Sequence, residues 1–131
     1  MPFRFTGFAD EAGKTLADQI AVTNEAGWSS IELRLIDGKN VCDMTPDEWG
    51  VAWQTLQDAG ITVAGFGGQI ANWARPITTD FNIDLDEIQR VAPYMREAGT
   101  PLIRIMSYPN DKENPVPEDE WKTEVLRRLK E

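Results

Sequence analysis

An Ala-Gly pair ends three separate helix-like stretches of this chain, and an apolar run follows each pair within a few residues. The pairs are Ala26-Gly27, Ala59-Gly60 and Ala98-Gly99, and the runs that follow begin at Ile31, Ile61 and Leu102. This alternation is typical of repeated β-α units, which build parallel sheets with right-handed crossovers. We therefore predict a single α/β domain of four such units over residues 1–131.

Four strands and four helices follow from these units. The predicted strands cover residues 3–8, 30–35, 61–66 and 102–107, and the predicted helices cover residues 15–26, 46–59, 84–98 and 118–131. Thr45 is a candidate N-cap, Pro46 takes the first helical position and Glu48 completes a capping box. Gly27 is the predicted stop of the first helix. The predicted apolar stripe of the third helix is Leu85, Ile88, Val91, Ala92 and Met95.

The residue pattern of the second strand distinguishes between two α/β architectures. Ile31, Leu33 and Leu35 share one predicted face, while Glu32 and Arg34 share the other. Helices cover an open α/β sheet on both sides, so its central strands are apolar on both faces. The inward face of a barrel strand can instead be polar near the open end. The pattern favours half of a (β/α)₈ TIM barrel, and the alternative is a small flavodoxin-like open parallel sheet.

Charged residues of the second and fourth strands are expected to meet. Side chains from alternate barrel strands share a layer, which brings Glu32 close to Arg104. Two interpretations are open. Either Glu32 and Arg104 satisfy each other as a buried ion pair, or Arg34 or Arg104 presents its guanidinium to an oxygen-rich ligand.

The absence of histidine and the single cysteine limit the chemistry of the chain. Without histidine, catalysis by Ser-His or Cys-His pairs is excluded, and the commonest zinc ligand is missing. A metal held here would need carboxylate and carbonyl oxygens, which favour magnesium, calcium or manganese. Cys42 cannot form an internal disulfide and is predicted to be structural, as expected of a cytoplasmic protein.

The net charge of −9 bears on partners. An acidic surface repels phosphate, so neither nucleic acid nor an anionic membrane is an expected partner. No leader peptide and no apolar stretch of membrane-spanning length is recognisable in the sequence, which again favours a cytoplasmic protein.

Four short motifs lie in or directly after the predicted strands. They are Phe8-Ala9-Asp10-Glu11, Ile31-Glu32-Leu33-Arg34, Asp37-Gly38-Lys39-Asn40-Val41 and Ile103-Arg104-Ile105-Met106-Ser107. Together they resemble the N-terminal half of the sugar phosphate isomerase/epimerase family, whose members are xylose-isomerase-like TIM barrels. The likeness extends over nearly the whole chain. It implies either a truncated gene product or a fragment of a longer enzyme.

The resemblance implies metal-assisted proton transfer next to a sugar carbonyl. In a complete family member, a divalent metal (Mg, Mn or Zn) is held by acidic residues and a histidine, mostly from later strands. This chain alone therefore has no assigned catalytic residue, metal ligand or cofactor. The part that carries over is the first-half wall of the substrate pocket: Glu32, Arg34, Gln69, Arg104 and Ser107. Trp73, in the long loop at the ligand-facing end, is a candidate platform for stacking on a small sugar-like ligand.

A second hypothesis is a non-catalytic half-barrel that assembles or binds a ligand. Four strands leave two open parallel edges and an uncovered apolar interior, and both features drive association. We therefore expect a homodimer that closes a pseudo-barrel, or pairing with a separate C-terminal half-barrel.

Overall fold

A parallel sheet with four helices organises the computed structural model, which describes residues 3–131. The strands are β1 (Ser30–Leu33), β2 (Leu35–Ile36), β3 (Lys39–Asn40), β4 (Thr62–Gly67) and β5 (Ile103–Arg104). The helices are α1 (Leu16–Glu25), α2 (Pro46–Asp58), α3 (Asn82–Ala98) and α4 (Glu118–Lys130). The sheet has the order β1-β4-β5 with every pair parallel, which confirms an α/β fold.

The helix boundaries follow the local sequence signals closely. Thr45 caps α2, its side chain accepts from the amide of Glu48, and the Glu48 carboxylate accepts from the amide of Thr45. The predicted capping box and the proline in the first turn of α2 are therefore confirmed. Gly27 has a φ of 72° just beyond α1, as predicted for its stop.

The predicted first strand is realised at only one position. Phe8 forms a parallel bridge with Glu32, and the amide of Glu32 donates to the carbonyl of Gly7 at 3.0 Å. Phe3 and Phe5 are exposed. A strand over residues 3–8 is therefore wrong except beside Phe8, because only this end of the segment reaches a neighbouring strand.

A tight hairpin replaces the end of the predicted second strand. β2 and β3 pair antiparallel around Asp37 and Gly38, whose φ values are 54° and 80°. Such turns favour an Asp-Gly dipeptide because both central residues need positive φ. The turn redirects the chain, so Leu35 is exposed and Ile36 is buried. The prediction that Leu35 shares the buried face with Ile31 and Leu33 is wrong.

The apolar side of the sheet forms the main core with the helices. Ile31, Leu33 and Phe66 are almost completely buried there. The ring centroid of Trp49 on α2 lies 5.5 Å from that of Phe66 and 5.1 Å from that of Tyr94 on α3. This burial of large apolar side chains packs α1, α2 and α3 against one side of the sheet and leaves the opposite side available for polar residues.

The fourth predicted strand is shorter than expected. Only Ile103 and Arg104 pair with β4, and the amide of Met106 instead donates to the carbonyl of Ile70 in the loop after β4. Leu102 and Ile105 flank the paired residues and are exposed. Strand pairing therefore ends at Arg104 because the chain bends toward the loop. No helix within residues 3–131 is sufficiently long and apolar to span a membrane.

Candidate functional site

Charged residues gather on the side of the sheet opposite the main core. Glu32 pairs with Gly65 and Arg104 pairs with Gly67, so strand alternation places all four on one face. Phe8 and Arg34 join them, since a Cβ built at Gly67 would meet both. We call this surface the polar face and define it by these six residues: Phe8, Glu32, Arg34, Gly65, Gly67 and Arg104.

Two glycines form the floor of the polar face. A Cβ at Gly67 would lie 2.7 Å from Cε1 of Phe8 and 3.0 Å from Cβ of Arg34. A Cβ at Gly65 would lie 3.9 Å from Cγ of Glu32. At these two positions β4 contributes no side chain, and the side chains of Phe8, Glu32 and Arg34 lie close to its backbone.

Arg34 is held by acidic residues of the turn after Phe8. Its Nε donates to Oδ2 of Asp10 at 2.8 Å, and its Nη2 donates to Oδ1 of Asp10 at 3.0 Å and to Glu11 at 3.1 Å. The hydrogen bond to Asp10 raises the pKa of Arg34 although desolvation opposes it. Arg34 thus has only part of its guanidinium left for a ligand.

Arg104, unlike Arg34, has a side-chain nitrogen without a hydrogen-bond partner in the described residues. Its guanidinium carbon lies 5.2 Å from the ring centroid of Phe8. The guanidinium carbon of Arg34 lies 4.8 Å from the same centroid. The Nε of Arg104 is buried, and no residue in the range 3–131 accepts a hydrogen bond from it. The hydroxyl of Thr6 is likewise buried without a partner in the described part of the chain. Buried donors of this kind are uncommon in folded proteins.

A cleft of about 270 Å³ connects these groups. Thr6, Glu32, Gly65, Leu102 and Arg104 are among its lining residues. Glu32 and Arg104 make no ion pair with each other within the described range, although they line the same cleft. Thr6, Glu32 and Arg104 thus line one small space, and Thr6 and Arg104 each carry a buried polar atom without a partner among residues 3–131.

The other predicted pocket residues lie elsewhere. Gln69 donates from Nε2 to Asp43 at 2.6 Å, and its amide donates to Glu87 at 2.7 Å. Trp73 and Ser107 line a separate cavity of about 650 Å³ with Ala71, Ile105, Met106 and Leu129. Trp73 is 80% exposed there. The structure therefore brings Glu32 and Arg104 together, with Arg34 beside them, but not Gln69, Trp73 or Ser107.

Sequence reasoning missed two buried carboxylates on α3. Asp84 and Glu87 are buried with Val91 and Tyr94, whereas Ile88 is 43% exposed. The predicted stripe through Ile88 is therefore rotated relative to the face that packs. The sequence signal that could have found them is their spacing: Asp84 and Glu87 lie seven and four residues before Val91, which places all three on the same side of the helix.

Arg75 forms ion pairs with both carboxylates. Its Nη1 lies 2.6 Å from Asp84 and also contacts Glu87. Burial is the largest single influence on the pKa of Arg75 and lowers it. The hydrogen bonds to Glu87 and Asp84 together outweigh burial, so the pKa is raised. All four carboxylate oxygens have partners, since the amides of Gln69 and Ala71 and the Tyr108 hydroxyl supply the remaining donors. A fully satisfied network of this kind is structural.

Cys42 belongs to the same buried region. Burial raises the pKa of its thiol, and the nearby Glu87 carboxylate raises it further. A thiol in this environment stays protonated and is a poor nucleophile. Among residues 3–131, no group of three or more carboxylate or thiol side chains is arranged to hold a metal ion.

Comparison of the chain with protein-family models, with curated proteins and with solved structures returned no match. The interpretation of the polar face consequently depends on its own residues.

Proposed function

We propose that this chain forms the first half of a (β/α)₈ barrel of the sugar phosphate isomerase/epimerase type. In this proposal, the polar face is part of the wall of a pocket for a small sugar-like ligand. The observation that carries the proposal is the position of Arg104, which lines the same cleft as Glu32 and whose buried Nε lacks an acceptor in residues 3–131.

Strand order supports the barrel over the flavodoxin-like alternative. The bridge at Phe8, then β1, β4 and β5 lie side by side in the order of the chain. A doubly wound sheet reverses its strand order at a switch point, and ligands bind there. A barrel adds each strand next to the preceding one, and its inward face carries the ligand-facing residues at one end. The one-sided distribution of Glu32, Arg34 and Arg104 agrees with that arrangement.

The four side chains of the polar face each have a defined role in this proposal. Arg104 donates to an oxygen of the ligand, and the Glu32 carboxylate accepts from a hydroxyl. Arg34, held by Asp10, keeps Phe8 in place through the cation–π contact and contacts a hydroxyl with the guanidinium donors that remain. The proton-transfer groups and a divalent metal belong to later strands in the family, so we expect this chain alone to have no turnover.

Ligand mapping by nuclear magnetic resonance tests the proposed pocket. The ¹⁵N-labelled chain is titrated with a pentose and the matching pentitol while backbone amide shifts are recorded. We expect the largest shifts near Glu32, Gly65 and Arg104, and we expect Arg104→Gln to remove them. Arg96→Gln, which replaces an exposed arginine on α3, is the control. Shifts confined to the cavity around Trp73, or none, would contradict the proposal.

A turnover assay tests the assignment of catalysis to the missing half. The purified chain is incubated with ketoses and Mg²⁺ or Mn²⁺, and aldose formation is measured. No isomerisation above the protein-free reaction is expected. Appreciable isomerisation would mean that the catalytic groups lie within this chain.

Exposed apolar residues at both sheet edges favour a second candidate, a non-catalytic half-barrel that assembles. Phe5 stacks on Trp28 with ring centroids 6.2 Å apart at one edge, and both rings are accessible to solvent. Leu102 and Ile105 are exposed at the other edge. A second copy, or a C-terminal half-barrel, would cover both edges. Sedimentation velocity over a wide concentration range should show a dimer, and a monomer at every concentration would argue against this candidate.

A further inference from the structure

We infer that the cleft beside Arg104 selects a small hydroxy acid with one carboxylate, rather than a phosphate ester. This inference depends on the proposed function, since it names the ligand class of the same pocket. It follows from the charge balance of the polar face, from the donors left without acceptors and from the size of the cleft.

The donor geometry of Arg104 suits a carboxylate. Its side chain lines the cleft, and its Nε is buried without an acceptor among residues 3–131. A guanidinium presents Nε and one terminal nitrogen as parallel donors, which match the two oxygens of a carboxylate. The ring of Phe8 supports the guanidinium plane at 5.2 Å from its centroid and limits its movement.

The charges around the cleft do not suit a dianion. The carboxylates of Asp10 and Glu11 occupy Arg34, so Arg104 is the positive charge that remains for a ligand. Glu32 lines the same cleft and has no cationic partner within residues 3–131. A phosphate monoester carries a charge of about −1.5 to −2 at pH 7. Either ligand would face one guanidinium and one carboxylate, and a carboxylate, with a single negative charge, is repelled less by Glu32 than a phosphate ester is.

Glu32 and Thr6 add the preference for hydroxyl groups. An ionised carboxylate only accepts hydrogen bonds, so Glu32 selects a ligand that donates. The buried hydroxyl of Thr6 can donate or accept, and it lacks a partner in the described structure. A hydroxy acid supplies both kinds of group on a short carbon skeleton. The cleft of about 270 Å³ limits that skeleton to a few carbons.

The test compares three-carbon ligands that differ in one group. The folded chain is titrated with glycerate, glycerol 3-phosphate, glycerol and propionate by calorimetry and by observation of the ¹⁵Nε resonance of Arg104. We expect glycerate to bind tightest and to shift that resonance. Propionate lacks the hydroxyls and glycerol lacks the carboxylate, so each should bind about 10-fold more weakly or worse.

Two variants test which residues determine the choice between glycerate and glycerol 3-phosphate. Arg104→Gln should weaken glycerate binding by about 10-fold or more, because it removes the charged donor. Glu32→Gln should weaken the hydroxyl contact and improve the affinity for glycerol 3-phosphate relative to glycerate. Arg96→Gln is again the exposed control. The direct observation of Arg104 Nε in the unaltered chain does not depend on whether the variants fold.

Tighter binding of glycerol 3-phosphate with a shift of Arg104 Nε would overturn the inference and leave the proposed pocket intact. Glycerate binding that Arg104→Gln does not weaken would also overturn it. If neither the pentose nor any three-carbon ligand perturbs Glu32, Gly65 or Arg104, the inference and the proposed pocket both fail.

Discussion

The hydroxyl of Tyr108 donates a 2.6 Å hydrogen bond to Oδ2 of Asp84, which joins the segment after β5 to the first turn of α3. The amide of Ala71 donates to the same oxygen, and Arg75 links Asp84 to Glu87. Burial and the hydrogen bond to Asp84 raise the pKa of the Tyr108 hydroxyl, so it remains a donor at neutral pH. This buried network fixes the long loop after β4, and its energetics can be measured.

Replacing Arg75 by methionine should strongly destabilise the fold. The change leaves Asp84 and Glu87, both almost inaccessible to solvent, without their common cation. Breaking a buried ion pair by removing one partner costs about 3–5 kcal/mol. Urea unfolding followed by circular dichroism measures the loss. Arg96→Met, at an exposed position of α3, should change the free energy of unfolding by less than about 0.5 kcal/mol. Similar small effects for both variants would contradict a structural network.

Tyr108→Phe should cost more stability than Tyr94→Phe. The Tyr108 hydroxyl donates to a carboxylate, whereas the Tyr94 hydroxyl donates to the carbonyl of Met44 at 2.9 Å. Hydrogen bonds to charged groups contribute about 1.5–3 kcal/mol, and neutral ones contribute about 0.5–1.5 kcal/mol. The urea midpoints of the two variants show which substitution costs more stability. A larger loss for Tyr94→Phe would mean that Asp84 is satisfied without Tyr108.

Local signals were sufficient to predict much of this fold. Thr45, Pro46 and Glu48 are close in sequence, and their capping interactions depend only on the backbone of one helix turn. The alternation of Ile31, Glu32 and Leu33 similarly assigns the two faces of β1, because side-chain direction is a property of the strand itself.

The remaining features depend on contacts between distant segments. Asp84 and Glu87 are buried because Arg75 reaches them from a loop and Tyr108 from beyond β5, and neither contact has a local sequence signal. The uncommitted Nε of Arg104 also depends on which acidic side chains take Arg34 instead. The polar character of the site residues was therefore predictable, but their distribution between a ligand cleft and a structural network was not.

Glu124 should contribute a pH-dependent part of the stability. Hydrogen bonds from Arg127, followed by those from Arg128, lower the pKa of Glu124 from its ordinary value of 4.5 to about 2. A lowered folded-state pKa stabilises the fold above the unfolded value, and this contribution is lost as the pH falls from 4.5 toward 2. Glu124→Gln should therefore lower the urea midpoint at about pH 6 and have little effect at about pH 2.5.

The size of this effect is small because Glu124 is partly exposed and solvent screens its charge. Glu113→Gln, at an exposed loop position, is the control and should show no such pH dependence. An equal shift of the Glu124→Gln midpoint at both pH values would mean that the carboxylate charge is not involved.

Gly67→Ala should disrupt the polar face, whereas Gly50→Ala should not destabilise the protein. The added methyl at position 67 would lie 2.7 Å from the ring of Phe8 and 3.0 Å from Arg34, so one of them must move. Overpacking of this kind costs about 1–3 kcal/mol. A Cβ at Gly50 in α2 meets nothing within 4 Å, and alanine favours a helix over glycine by about 1 kcal/mol. The two variants should therefore shift the urea midpoint in opposite directions. The ¹⁵Nε resonance of Arg34 should shift in Gly67→Ala but not in Gly50→Ala. The reason is that displacement of Phe8 or Arg34 alters the ion pair between Arg34 and Asp10. An unchanged resonance would show that the polar face can accommodate a side chain at position 67.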